Sequence, residues 1–234
     1  MMRFVVEYGL NRRMGVLLFT ATVMGSATAL VENLLFLFMS ETLHASYFLM
    51  GVSVVVTVSI EVPLFAFSKS LLSRVGTKGL LLGAMFAYVT RVTWYTLSAT
   101  GLAVLAVEPL HGVTYALLQS AFVTSMARLA PPWAVATGQG LISLAIAAGR
   151  LVGTVAGGAV LESFGSTVMY RSAALVVAVN AVLVGLSSAF EGEGSTTFEG
   201  GRGSAAASPP PREALRRGAS AADADEEALE LTRA

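Results

Sequence analysis

The 234-residue sequence contains no cysteine, and only 13% of its residues are charged. The first absence excludes disulfides, thiolate metal sites and cysteine nucleophiles. The second is well below the share of about 25% that is usual for soluble domains. The sequence has no P-loop, which excludes a P-loop ATP-driven pump. It also has no His/Asp/Glu cluster at metal-ligand spacing and no basic patch for nucleic acid. We therefore expect no enzyme activity, cofactor, metal site or nucleic-acid partner.

Apolar sequence is what the chain has in abundance. Hydrophobic residues make up 55% of it, and its mean hydropathy is +0.71. Apolar runs of about 20 residues are long enough to cross a bilayer as helices. The sequence therefore predicts an all-α, polytopic membrane helix bundle with about six transmembrane helices. The predicted spans are roughly Met14–Met39, Ser46–Phe67, Leu80–Leu97, Gly101–Met126, Trp133–Leu161 and Arg171–Phe190.

Composition divides the chain into three regions. Residues 1–13 form a short lead, and residues 14–190 form the six-helix transmembrane unit. Residues 191–234 are rich in Gly, Ala, Ser, Pro and charge and have almost no aromatic residues. Such a segment cannot bury a core, so we expect a disordered tail. Within the transmembrane unit, residues 68–79 and 162–170 are predicted to be loops between helices.

The distribution of Lys and Arg predicts the orientation. These residues occur in the lead, in the links after the second and fourth spans, and in the tail. The three opposite links carry none, unless Arg171 at the edge of the last one is counted. Because Lys and Arg concentrate in cytoplasmic loops, we expect an integral, multi-pass protein with both termini in the cytoplasm. The sequence does not distinguish the plasma membrane from an endomembrane.

The fourth predicted span carries an unusual set of polar residues. Glu108 and His111 lie three residues apart, and Tyr115 and Gln119 follow at intervals of four. On a helix these positions share one face. Ionisable groups are expensive inside a membrane and usually face a bundle interior or a water-filled path. This face therefore either lines such a path or forms a buried polar contact that only fixes helix packing.

Four more charged residues lie inside predicted spans. They are Glu32, Glu61, Arg91 and Arg150. Under the predicted orientation, Glu32, Arg91 and Glu108 lie at similar depth in the outer part of the membrane. We therefore expect Arg91 to neutralise a carboxylate, with Glu108 the first candidate and Glu32 the second. Glu61 lies nearer the cytoplasm, and Arg150 has either a packing or a functional role.

The fifth predicted span contains glycines at regular spacing. Gly149, Gly153 and Gly157 form two overlapping small-xxx-small steps. Small residues at this spacing let two helix backbones approach closely. We therefore assign these glycines to helix packing.

Several short motifs carry a resemblance to a known family. They are Glu108-Pro-Leu-His111-Gly112-Val-Thr-Tyr115-Ala-Leu, Arg128-Leu-Ala-Pro131, Ala136-Thr137-Gly-Gln139-Gly140, and Gly157-Gly158 followed by Phe164-Gly165 and Tyr170-Arg171. In this order, from about residue 14 to residue 190, the sequence resembles the C-terminal half of a major facilitator superfamily transporter, helices seven to twelve. It most resembles the major-facilitator-associated branch, which is similar to lactose permease and nucleoside–proton symporters.

The resemblance implies secondary active transport of a small solute by alternating access, with proton coupling in this half. Lactose-permease-like symporters couple protons through carboxylates on helices seven, eight and ten, an arginine on helix nine and a histidine on helix ten. The matching positions here are Glu32, Glu61, Arg91, Glu108 and His111. The order on the tenth helix is Glu-x-x-His, whereas lactose permease has His-x-x-Glu. Tyr115, Gln119 and Arg150 complete the set of proton-coupling or substrate-path candidates.

The resemblance also predicts partners. Besides the bilayer and a small-molecule substrate, we expect a second six-helix unit, which is a missing N-terminal half, a separate partner half or a second copy of this chain. The alternative to transport is a non-transporting half-length membrane protein, such as a regulatory partner, or the product of a truncated gene model.

The predicted orientation is testable with epitope tags. A tag before Met14 and a tag after Phe190 should both be cytoplasmic, and a tag within residues 40–45 should be outside, because of the Lys/Arg bias. Antibody access before and after membrane permeabilisation measures the side of each tag. Opposite sides for the two terminal tags would exclude the six-span arrangement.

Overall fold

A computed structural model describes residues 12–188 of the chain. In this part all regular structure is helical, with no β-strand, which confirms the predicted all-α class. Four of its helices are long and apolar enough to cross a membrane. The elements are α1 (Arg12–Leu37) with a π-helical turn (Phe38–Thr42), α2 (Tyr47–Tyr95), α3 (Gly101–Leu105), α4 (Pro109–Leu129), a 3-10 turn (Pro132–Ala134) and α5 (Val135–Leu186).

Local sequence sets where several helices begin. The side chain of Ser46 accepts a hydrogen bond from the amide of Leu49 at 3.3 Å, and Thr100 does the same for Ala103 at 3.3 Å. Such N-caps satisfy amides that the first helical turn leaves unpaired. Helix α4 begins with Pro109. Proline suits this position because its missing N–H would have no partner there.

Two glycines divide the two longest helices. Helix α2 has 49 residues and α5 has 52. Gly76 has φ 67° and ψ 176°, and Gly165 has φ 81° and ψ 171°. Glycine adopts positive φ readily because it has no Cβ. The resulting segments are α2a (residues 47–75), α2b (residues 77–95), α5a (residues 135–164) and α5b (residues 166–186).

Segment α2a runs in the same direction as α4. Gly112 near the start of α4 lies against the backbone of Thr57, since a Cβ there would be 2.6 Å from the Thr57 carbonyl oxygen. Further along both helices, the rings of Phe65 and Tyr115 meet edge to face, with centroids 6.2 Å apart. Residue numbers therefore rise together along the two helices.

Segment α2b runs in the opposite direction to α4. Gly83 lies beside the Leu117 side chain, and Tyr95 further along α2b contacts Glu108 at the beginning of α4. Residue numbers rise along α2b as they fall along α4. The chain therefore reverses direction at Gly76.

The same reversal occurs at Gly165. Residues 169–176 of α5b line a cavity with residues 23–30 of α1, and residues 180–187 line another with residues 12–20. Segment α5b is thus antiparallel to α1. Segment α5a is parallel to α1, as the glycine contacts described below show. Counting α3 and α4 together, the described residues form six helical segments, which agrees with the predicted number of spans.

The two predicted loops at residues 68–79 and 162–170 are wrong. The helices continue to Gly76 and Gly165 on both sides, so a single glycine makes each turn. The last segment accordingly begins at residue 166 and not at Arg171. Charged residues in these stretches suggested loops, but helix ends that reach the membrane surface have the same composition.

Parts of the predicted domain boundaries lie outside the described residues. These parts are residues 1–11 of the lead and all of the tail, residues 191–234. Arg12 and Arg13, also assigned to the lead, belong to α1. Whether the tail is disordered therefore stays a prediction.

Helix α1 and segment α5a touch backbone to backbone. A Cβ on Gly149 would be 2.0 Å from the carbonyl oxygen of Thr22, and one on Gly153 would be 2.2 Å from that of Ser26. Gly157 lies one turn further along, against the Leu30 side chain. These distances leave no room for any side chain at the first two positions, so the glycines allow the two helices to pack this closely.

This contact predicts a clear difference between neighbouring glycines. Gly153→Ala should destabilise the fold by about 1–3 kcal/mol, because the added methyl group forces the backbones apart. Gly158→Ala is the matched control, since a Cβ there meets nothing within 4 Å. Thermal unfolding in detergent measures both variants. Equal stability of the two variants would contradict the backbone contact.

Candidate functional site

A groove lined by several polar side chains, the polar groove, lies among α1, α2a, α4 and α5a. It consists of two cavities of about 150 Å³ and 110 Å³ that follow one another along α4. The polar residues lining the first are Glu32, Ser53, Thr57, Glu108 and His111. Those lining the second are Thr28, Tyr115, Gln119 and Arg150. The four residues that helical spacing placed on one face of α4 therefore all face this groove.

An ion pair between residues that line the groove joins α1 to α5a. Arg150 Nη2 lies 2.7 Å from Glu32 Oε2, with the two side chains 41% and 26% exposed. Next to this pair, Asn33 Nδ2 donates to Thr154 Oγ1 at 2.8 Å. Arg150 directly follows Gly149, so the close glycine contact brings its side chain within reach of α1. The charge of Glu32 is thus compensated by Arg150.

Glu108 lies at the start of α4 and is 3% exposed. Its Oε1 accepts a hydrogen bond from the Tyr95 hydroxyl at 2.5 Å, and its Oε2 accepts one from Thr57 Oγ1 at 3.3 Å. Both donors are neutral hydroxyl groups, one on α2b and one on α2a. The predicted single helix from Gly101 is interrupted here, because α3 ends at Leu105 and Pro109 starts α4.

Arg91 is fully buried, at 0% exposure. Its three guanidinium nitrogens have no hydrogen-bond partner among the described residues. The guanidinium carbon lies 5.8 Å from the ring centroids of both Tyr88 and Tyr95, which is within cation–π range. The two aromatic rings therefore stabilise this buried charge by cation–π attraction.

The predicted pairing of Arg91 is wrong. Glu32 binds Arg150, and Glu108 accepts its bonds from Tyr95 and Thr57. Residues at similar depth in the membrane need not face each other. Tyr95, one helical turn after Arg91, contacts Glu108 in place of Arg91.

The remaining candidates on α4 lie along the groove. His111 is half-buried, and its Nδ1 has no partner among the described residues. Gln119 Nε2 donates to the Tyr115 hydroxyl at 3.3 Å, so these two side chains hold each other in the second cavity. The side chains of α4 that line the groove thus change from ionisable groups at Glu108 and His111 to the Tyr115 hydroxyl and the Gln119 amide further along.

Glu61 is placed differently from the other carboxylates. It lies on α2a next to Gly112, and a Cβ on that glycine would be 2.9 Å from the Glu61 amide nitrogen. The residue is half-buried but lines neither cavity of the polar groove. Glu61 therefore lies beside the groove, where its carboxylate interacts electrostatically with that of Glu32.

Sequence reasoning missed the two residues that hold Glu108. Thr57 is one of many β-branched and apolar residues in the second span, and nothing in its local sequence distinguishes it. Tyr95 follows Arg91 by four residues, which places both on one helix face. That spacing was the available signal for Tyr95.

Comparison with protein families extends these observations. A family model described as the MFS_1 like family matches residues 4–172, which is more than half of the chain. The match spans α1 to α4, α5a and the beginning of α5b, and so includes every residue of the polar groove. Together with helices long and apolar enough to cross a membrane, it identifies the chain as an integral membrane protein of a transporter family. The chain belongs to the MFS_1 like family and is a member of the major facilitator superfamily.

Proposed function

We propose that this chain takes part in proton-coupled transport of a small solute by alternating access, and that the polar groove is its part of the solute and proton path. The observation that carries the proposal is the convergence of Glu32, Glu108 and His111 on one cavity within otherwise apolar helices. Such groups are costly in a membrane and typically mark ion and substrate pathways.

The two carboxylates of this cavity are suited to different roles. Glu32 forms an ion pair with Arg150 at 2.7 Å, and this pair can orient a polar solute. Glu108 is held by two neutral hydroxyl groups, which can hydrogen-bond to it with or without a proton. We therefore assign the exchangeable proton to Glu108, with His111 beside it as the second proton-carrying group.

Coupling then requires that the proton and the solute favour the same conformational states. A ligand shifts an equilibrium only by its difference in affinity between the two states. A proton on Glu108 changes the charge of the groove where the solute binds. Binding of each ligand therefore changes the preference for the other, as a symport mechanism requires.

The groove also supports the proposal of a second six-helix unit as a partner. The Glu32–Arg150 pair is partly exposed at the groove. Lipid cannot hydrogen-bond to such groups, whereas a second helical unit that closes the groove can. Transporters of this superfamily bind solute near the bilayer midplane between two such halves. The partner is an N-terminal half, a separate chain or a second copy.

The proton assignment predicts the behaviour of one variant in the active assembly. Glu108→Gln should keep solute exchange but lose solute-driven proton movement, because the amide cannot carry the proton. Glu162→Gln, at the exposed end of α5a, is the matched control and should retain both. Reconstituted vesicles with a trapped pH-sensitive dye measure proton movement, and labelled solute measures exchange.

A related variant completes this experiment. His111→Gln should alter the pH dependence of uptake without preventing membrane insertion. Wild-type coupling in both Glu108→Gln and His111→Gln, over about pH 5.5 to 8 around the ordinary histidine pKa, would show that the groove has only a structural role.

A further inference from the structure

The contacts around Arg91 single out Tyr95, whose hydroxyl is one of the two that hold Glu108. Tyr95 is 1% exposed and touches both charged groups of this region. Its hydroxyl donates to Glu108 Oε1 at 2.5 Å, and its ring centroid is 5.8 Å from the guanidinium carbon of Arg91. One side chain thus lies between a buried arginine and a buried carboxylate.

The arginine is the unsatisfied member of this group. A buried charge without a partner is strongly unfavourable, and all three guanidinium nitrogens of Arg91 lack an acceptor among the described residues. The rings of Tyr88 and Tyr95 supply cation–π attraction, but they do not accept the guanidinium hydrogens as a carboxylate would. Arg91 therefore has a strong tendency to bind a carboxylate that comes within reach.

We propose that Tyr95 is a positioning residue that keeps Glu108 away from Arg91. Its hydroxyl occupies the carboxylate oxygen that Arg91 would otherwise bind, so Tyr95 and Arg91 compete for Glu108. The inference depends on the proposed function for its meaning in transport. The partners that hold Glu108 among the described residues, Tyr95 and Thr57, are neutral and leave it able to exchange a proton, whereas a partner of opposite charge favours the ionised carboxylate.

Other titratable groups face this region from each neighbouring helix. They are Glu32 on α1, Glu61 on α2a, Arg91 and Tyr88 on α2b, His111 on α4 and Tyr170 on α5b. Glu32 is already bound by Arg150. Arg91 is the permanently charged member of this set, and its guanidinium has no acceptor in the part of the chain that the structure describes. It is therefore the group that competes with Tyr95 for Glu108.

The variant Tyr95→Phe tests the competition directly, because it removes the hydroxyl and keeps the ring. Solid-state NMR of the chain in bilayers, with isotope labels in arginine guanidinium groups and glutamate carboxyl groups, detects each guanidinium–carboxylate pair. The Glu32–Arg150 pair, assigned by its loss in Arg150→Gln, provides an internal control for correct folding. This measurement needs neither a known solute nor transport, so it does not depend on the proposed function.

We expect Tyr95→Phe to gain a new pair that disappears on addition of Arg91→Lys or Glu108→Gln. Tyr170→Phe is the matched control. Its ring packs edge to face on Tyr95 with centroids 5.3 Å apart, but its hydroxyl has no partner among the described residues. It should therefore show no new pair.

Two results would overturn the proposal. The first is a Tyr95→Phe spectrum that keeps the Glu32–Arg150 signal and gains no other. The second applies if Tyr95→Phe loses the Glu32–Arg150 signal because the chain fails to fold. Adding Glu108→Gln should then restore it, since the misplaced carboxylate is removed, and failure to do so would show that the hydroxyl only supports the core.

Discussion

The contact between the backbones of α1 and α5a determines the position of the functional groups. Gly149 and Gly153 place no side chain between these helices, so Arg150, the residue directly after Gly149, reaches Glu32. The contact of Gly112 with α2a has the same effect on the other side of the groove, where it brings Thr57 to Glu108. Without these close approaches, two charged side chains of the groove would lose their partners.

The groove separates two kinds of carboxylate. Within residues 12–188, Glu32 has a charged partner and the partners of Glu108 are neutral. A fixed ion pair suits the orientation of a polar solute, and a carboxylate with neutral hydrogen-bond donors suits the uptake and release of a proton. Arg91 adds a third element, a buried cation kept apart from Glu108 by Tyr95. Membership of the major facilitator superfamily gives this arrangement a context, because such transporters work through groups placed near the centre of the membrane.

Much of the fold could be predicted from the sequence, because membrane helices require long apolar runs. The spacing of Glu108, His111, Tyr115 and Gln119 also correctly placed these residues along one groove, since helical periodicity determines which residues share a face. The turns at Gly76 and Gly165 were missed. A one-residue break has no composition of its own, and the charged residues around it suggested longer loops.

Pairing across helices could not be predicted in the same way. Periodicity says nothing about the rotation of one helix relative to its neighbour, so the partners of Glu32 and Arg91 were assigned from depth alone and were wrong. The decisive features were the glycine contacts beside Arg150 and the reach of Tyr95. Both are properties of how two helices pack and are not visible in either helix by itself.

If the polar groove is a solute and proton path, the face of α4 that lines it is open to water in the assembled transporter. Because the chain has no cysteine, each introduced cysteine is its only thiol, and its reaction with a charged, membrane-impermeant thiol reagent reports water access. We expect cysteines at His111, Tyr115 and Gln119 to react in the assembled transporter, and cysteines at Ala116 and Ala121, which are 1% and 0% exposed, not to react. Equal reactivity of the two groups, or reaction at neither, would contradict it.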